Sequence, residues 1–290
     1  MTSLLQSPKV SIVIPTFNRA EYAREAIEKS LAQTADCEII LVNHGSTDHT
    51  DDVAKEFGDK IVYVKRDNDF GPHYCWLDGI MHATGDFIHM QFDDDWIEPS
   101  YIAECMQLMT PETGFVFSNN AMYYDETDEM VAKPHDGPMQ GTGIYNSSTI
   151  ERWFMKRLIS PAAMIYRRSD LIDALYQGNL PFSSDHYHGV GPDLYVTLLC
   201  LLRYPKFGFV DKHLAIFRAH PGSITVTARA EAKTARRIKN AYREVRRHYK
   251  ELKHLKRRRS LADRWPKLHN LTDKIPRTRE IRKMINKNEK

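Results

Sequence analysis

Three consecutive carboxylates, Asp93, Asp94 and Asp95, stand where an apolar run ends, and Trp96 follows them directly. Carboxylate oxygens suit a hard divalent cation, and a site that supplies only one or two of them leaves room for oxygens of a phosphorylated ligand. A cation held in this way can neutralise charge that gathers on a departing diphosphate. The same residues also fit a plainer role, an acidic turn ahead of the helix that opens near Pro99, because carboxylates favour helix N-termini. Taken alone, the run leaves both readings open.

The elements that must position these carboxylates are written in the first hundred residues, where strand and helix signals alternate at short intervals. Residues 10–14 read as a strand. A helix follows, with Tyr22, Ala23, Ala26, Ile27, Ser30 and Leu31 at helical spacing and Asn18 with Glu21 as a capping pair. Residues 38–42 and 61–64 read as the second and third strands, with a short helix over 50–57 between them. A helix over 73–83 leads through Thr84-Gly85 into a fourth strand, 87–91. Such alternation predicts parallel βαβ units with helices on both faces. In open sheets of this kind ligands bind outside the carboxyl ends of the strands, which is where the three aspartates fall.

The second half is less regular. A helix is expected over 98–109 and a strand over 115–117. Residues 119–145 are polar, rich in Gly, Pro, Asp and Met, and aperiodic, which predicts a long loop of the kind that serves as a lid or binding loop. A helix over 191–203 and short strands over 207–210 and 214–217 follow. From residue 230 the pattern is helical and basic, interrupted at Pro266 and Pro276.

Four segments occur in order: Val10 through Arg19 (VSIVIPTFNR), Gly45-Ser46-Thr47-Asp48 after the second strand, Ala83-Thr84-Gly85-Asp86-Phe87, and the triple aspartate. Together they resemble the family 2 glycosyltransferases, closely over residues 9–110 and more loosely over 155–225. The resemblance implies a GT-A fold, a mostly parallel Rossmann-like α/β sheet flanked by helices. It also implies inverting transfer of a sugar from a nucleoside diphosphate sugar, a UDP-sugar first among them, to a hydroxyl of a glycan or lipid-linked glycan. The implied setting is bacterial surface polysaccharide synthesis. Residues 1–227 would form the catalytic domain, with a nucleotide-sugar half at 9–110 and an acceptor half at 111–227, and residues 228–290 a basic helical extension.

Carried over residue by residue, the resemblance points to Pro15, Thr16, Asn18 and Arg19 as nucleotide contacts. Asn43 and His44 stand where the family usually has two acids, one of which accepts from the base ring, so the identity of the base stays open. Matching Trp96 to the family's metal motif assigns Asp95 to a Mn2+ or Mg2+ ion and gives Asp93 and Asp94 to the ribose, the sugar or support of the metal. Gly189-Val190-Gly191-Pro192-Asp193 resembles the place of an acidic pair whose aspartate is the general base. Here Pro192 replaces the first acid, so Asp193 is the candidate, while Pro followed by Asp is also what a helix first turn prefers. His220, in Phe217-Arg218-Ala219-His220-Pro221-Gly222-Ser223, resembles a late element near the diphosphate and is a candidate metal or phosphate ligand, with Arg218 and Ser223 as possible helpers. Trp96, Trp153 and Tyr187 are candidates for stacking on sugars, Trp76 for the core, and Asp185, His186 and His188 for shaping the acceptor site.

Bulk properties bound the alternatives. The net charge of +3 conceals an asymmetry: residues 228–290 carry 23 Lys and Arg against 7 Asp and Glu, whereas the rest carries 18 against 31. A basic tail on an acidic body suggests attraction to a polyanion such as an anionic membrane surface, with Ile238, Tyr242, Val245, Tyr249, Leu252 and Leu255 on one helical face. A terminal helix packed on the catalytic domain is the competing expectation. The acidic body and the absence of a reading motif argue against nucleic acid. A sugar nucleotidyltransferase should show a Gly-rich phosphate loop, and residues 15–19 contain no glycine. A binding module without turnover is the remaining alternative. Cys37, Cys75, Cys105 and Cys200 show no paired spacing and read as reduced thiols. Residues 1–8 lack a signal-peptide pattern and no run reaches the roughly 20 apolar residues of a membrane span, so a cytoplasmic protein, peripheral on the inner face of the plasma membrane, is expected.

Overall fold

The computed structural model describes residues 9–176, 190–220 and 231–264, with side chains through residues 175 and 259 in the first and last of these segments. The chain divides into two compact units, Met1–Val245 and Arg246–Lys290. In the first, β1 (Val10–Thr16), β2 (Cys37–Asn43), β3 (Val62–Lys65) and β4 (Phe87–Met90) pair in parallel in the order β3-β2-β1-β4. Residues 10 to 14 of β1 are all buried, as a strand covered on both faces requires. Pro15 has no N–H to extend the β1–β4 ladder beyond the bond from the N–H of Gln91 to the Val13 carbonyl, so that pairing ends there.

Helices α1 (Ala20–Leu31), α2 (Thr50–Phe57) and α3 (Pro72–His82) make the crossovers. α1 buries Ala20, Ala23, Ala26, Ile27 and Ser30, a stripe at helical spacing. α3 comes so close to the sheet that a Cβ on Gly79 would lie 2.4 Å from Val13 Cγ1 and 2.8 Å from Val42 Cγ2.

Beyond β4 the sheet continues with both parallel and antiparallel pairs. The two-residue strand β5 (Trp96–Ile97) precedes α4 (Tyr101–Met106), a shorter helix than residues 98–109 suggested. Then come β6 (Thr113–Tyr124), β7 (Glu129–Lys133), β8 (Gly143–Asn146), α5 (Ser147–Phe154), β9 (Met164–Arg167), α6 (Arg168–Tyr176), α7 (Pro192–Arg203) and β10 (Lys206–Ala219). β9 pairs antiparallel with both β4 and β6, and β10 runs parallel to β6. The expected loop over 119–145 is in part a hairpin: β6 continues to Tyr124 and turns into β7. Its polar residues conceal the strand because β7 is exposed along its whole length. The two short strands expected over 207–217 are one long strand interrupted by register shifts.

The last described helix is α8 (Ala232–Arg264), whose residues up to Val245 belong to the first unit. None of the described helices is long and apolar enough to cross a membrane. All four cysteines are free thiols, and three of them are buried.

Candidate donor and base site

The end of β1 and the turn after β4 meet directly. Thr16 Oγ1 donates to Asp93 Oδ2 at 2.8 Å, and one nitrogen of Arg19 donates to Asp93 Oδ1 at 3.1 Å and to Asp94 Oδ2 at 3.0 Å. The turn that carries the aspartates is pinned from both sides. Gln91 Nε2 donates to the carbonyls of Phe92 and Asp95, and from β10 the backbone N–H of Arg218 donates to Asp95 Oδ1 at 3.1 Å. His220, just past β10 and 6% exposed, sets Nε2 3.0 Å from Asp94 Oδ2. The structure therefore gathers Thr16, Arg19, Asp93, Asp94, Asp95 and His220 at one place, and it brings His220 to Asp94 rather than to Asp95.

The three carboxylates have unequal environments. Burial, and then the neighbouring charge of Asp94, push Asp93 up to about 6 against the pull of Arg19 and Thr16. Burial and Asp94 also hold Asp95 well above the usual carboxylate range. Burial would raise Asp94 too, but the His220 hydrogen bond and the Arg19 charge outweigh it and bring Asp94 below its ordinary value. The cluster is thus short of positive charge at its Asp95 side. Two carboxylates and an imidazole nitrogen are donors that a Mn2+-like ion accepts. Among the described residues no three or more such side chains form a ready-made cage. An ion that also binds diphosphate oxygens needs fewer protein ligands than a structural metal does, so the donor set fits.

The nucleotide-side residues organise one another. Asn18 adopts a left-handed φ of 53°, and its side chain does not cap α1 as the sequence suggested. Its Oδ1 instead accepts from the backbone N–H of Thr47 at 2.7 Å, while Ser46 Oγ accepts from its own N–H. The α1 start is satisfied from the neighbouring turn, where Asp48 Oδ2 accepts from the N–H of Ala20. Asn43 is fully buried and spends its amide on Asp51, Tyr63 and the N–H of Ser46. His44, 4% exposed, bonds Asp69 through Nδ1, and burial lowers its pKa despite that partner. Asn43 and His44 therefore shape the turn beneath the expected base position. A Cβ on Gly45, which has φ of 80°, would sit 2.9 Å from the Asp67 carbonyl, so this turn also fixes the loop after β3.

The Arg218 guanidinium is engaged by protein groups. It donates to the Asp94 carbonyl, Asp125 and Glu25 and lies over the rings of Tyr22, Trp96 and Tyr123. Trp96 is correspondingly a core residue, packed with Ala121, Ile216 and Tyr123, and is not available for stacking on a sugar. Trp76 is buried, and its ring stacks on Phe92. Trp153 donates to Asp136 and lies against His135. Tyr187, Asp185, His186, His188 and Ser223 lie outside the described residues. Among the residues that sequence reasoning missed are Asp69, which bonds His44, and Asp51 on α2, which accepts from Asn43, Tyr63 and Lys65; neither carries a motif.

Asp193 stands in the first turn of α7. Its Oδ1 accepts from the N–H groups of Gly191 and Leu194 at 2.8 and 2.7 Å, a local role that a first-turn acid can fill. Its Oδ2 accepts from the hydroxyl of Tyr242 on α8 at 2.7 Å. Nothing in the spacing of Tyr242 marked it as more than one member of a helical apolar face.

Known proteins share this fold. The pattern described as Glycosyl transferase family 2 matches residues 11–175. Glycosyltransferase GlyA of Streptococcus pneumoniae is 24% identical over 77% of the chain, which spans 32% of GlyA. S. aureus TarS residues 1–349, solved in complex with UDP-GlcNAc, superposes with a TM-score of 0.58 at 18% identity, covering 74% of this chain and 60% of that one. The mannosyltransferase PcManGT from Pyrobaculum calidifontis, solved with GDP-Man and Mn2+, gives a TM-score of 0.51 at 14% identity over 78% of this chain and 61% of its own. At these identities the two structures establish the fold.

Proposed function

The chain belongs to glycosyl transferase family 2, and from that premise we propose that it is an inverting glycosyltransferase acting on a nucleoside diphosphate sugar. The observation that carries this reading is the meeting of Thr16 at the end of β1 and Arg19 at the start of α1, Asp93 to Asp95 from the β4 end and His220 from the β10 end at one mouth of the sheet. A UDP-sugar is the first donor to test, because TarS was solved with UDP-GlcNAc. Pro15, Thr16, Asn18 and Arg19 would line the nucleotide, with Asn43 and His44 supporting the turn beneath the base. Asp93 would face the ribose or the sugar. A Mn2+ or Mg2+ ion held by Asp95 and His220, with Asp94 beside them, would supply positive charge to the departing diphosphate.

Asp193 is assigned the general base. It takes the proton of an acceptor hydroxyl while that oxygen forms the new bond to the anomeric carbon. The bond from that carbon to the diphosphate breaks, and its electron pair leaves with the diphosphate. A single displacement of this kind inverts the sugar carbon. The acceptor would be a glycan or a lipid-linked glycan of a bacterial surface polysaccharide. The basic C-terminal helix would bring the enzyme to an anionic membrane face, with Lys253, Lys256, Arg257 and Arg259 supplying charge. The test is release of nucleoside diphosphate from a panel of UDP-, GDP- and dTDP-sugars with Mn2+ or Mg2+. Release should vanish with chelator and fall at least about a hundredfold in Asp193→Asn. Undiminished release by that variant would remove Asp193 from the base role.

A further inference from the structure

A carboxylate that must take a proton from a bound hydroxyl needs a fixed orientation, since a misplacement of about 1 Å can cost on the order of a hundredfold in rate. Asp193 is held on one oxygen by the backbone of its own turn and on the other by Tyr242, 49 residues later in the chain. The contact is built into the packing around it. Gly191, with φ of 110°, brings its backbone so close to α8 that a Cβ would lie 3.3 Å from Val245 Cγ2 and 3.9 Å from Ala241 Cβ. Ala241 and Val245, the residues that flank Tyr242 on this side of the helix, are themselves buried. The basic extension thus begins as a packed wall behind the first turn of α7, and the phenol is its polar contribution.

We infer that Tyr242 is a positioning residue for the transfer reaction, its hydroxyl holding Asp193 in the orientation in which the carboxylate takes the acceptor proton. A carboxylate oxygen accepts from more than one direction, so a hydroxyl behind Oδ2 is compatible with an acceptor approaching from the open side. In the family arrangement an acid stands at position 192. Here Pro192 fills it, and the two N–H groups and Tyr242 help to orient Asp193. The proposal rests on the base assignment of Asp193, and the experiment separates the two.

The full-length chain is compared with Tyr242→Phe, Asp193→Asn and the double variant. The readout is nucleoside diphosphate release from whichever panel sugar wild type turns over fastest with Mn2+. Phenylalanine keeps the ring, and a melting temperature close to wild type shows that the wall stays packed. Tyr242→Phe is expected to lower kcat about tenfold with donor KM within about twofold. In the Asp193→Asn background it should cause no further loss, because a residue acting through Asp193 has nothing left to position. An unchanged kcat in Tyr242→Phe overturns the proposal, as does an equal loss in both backgrounds, which marks a structural role. Full activity of Asp193→Asn overturns the base assignment and this proposal with it. Absence of release by wild type from every donor overturns both as well.

Discussion

The backbone N–H of Arg218 donates to the carboxylate of Asp95 across 123 residues of sequence, at 3.1 Å. Through this bond β10 holds the turn that follows β4, and the Arg218 side chain reinforces it by donating to the carbonyl of Asp94. The geometry of the aspartate cluster is thus set in part from the C-terminal half of the sheet.

Replacing Arg218 with methionine should therefore disturb both stability and donor binding. The guanidinium is nearly buried and pairs with Glu25 and Asp125, whose own side chains are partly exposed. Stranding these carboxylates is expected to cost about 2–3 kcal/mol, below the roughly 3–5 kcal/mol of breaking a fully buried pair because solvent reaches the partners. Urea unfolding with an unchanged m-value measures that loss, and KM for the donor should rise at temperatures where the variant remains folded. Wild-type stability would show that the pairs contribute nothing.

The contribution of His89 should lower stability as the solution is acidified from about pH 6.5 to about pH 4. His89 is fully buried, its Nδ1 donates to the carbonyl of Met164, and burial lowers its pKa from 6.5 to about 4. In that window the unfolded chain binds a proton that the folded chain refuses, so unfolding is favoured as pH drops. The shift corresponds to about 3 kcal/mol at full development. His135, also lowered to about 4 by burial, adds in the same direction. Denaturant midpoints across this range in His89→Gln, compared with wild type, should show a shallower decline. Parallel curves would remove His89 as a cause.

The basic helix should confer salt-sensitive attachment to anionic membranes. Co-sedimentation with phosphatidylglycerol vesicles is expected at low ionic strength. It should be lost on neutral phosphatidylcholine and weakened strongly near 1 M salt, where screening acts over about 3 Å. Replacing Lys256, Arg257 and Arg259 with glutamine should reduce it. Equal binding to neutral vesicles would point to apolar attachment instead.

The contrast between what the sequence disclosed and what it concealed has a physical basis. Strands β1 to β4 are short apolar runs bounded by turn residues, and their expected limits fall within two residues of the observed ones. The triple aspartate was visible because it follows such a run. The β6–β7 hairpin was hidden because exposed strands show no buried alternation, and β9, which joins the two halves of the sheet, was not anticipated. Residue type also misled locally. Asn18 resembles a helix cap but ties two loops together, and Trp96 resembles a sugar platform but fills the core. The meeting of Asp94 with His220 and of Asp193 with Tyr242 are tertiary contacts, and no spacing rule encodes them.

The central claim is that the aspartate cluster binds the donor diphosphate together with a divalent cation. Titration calorimetry of UDP and UDP-GlcNAc into the full chain, with Mn2+ and then with chelator, tests it most directly when wild type is set beside Asp94→Asn and Asp95→Asn. Binding by wild type that needs Mn2+, and that falls at least about tenfold in each variant, is the expected result. Nucleotide binding equally tight in chelator, or unchanged in both variants, would contradict the account.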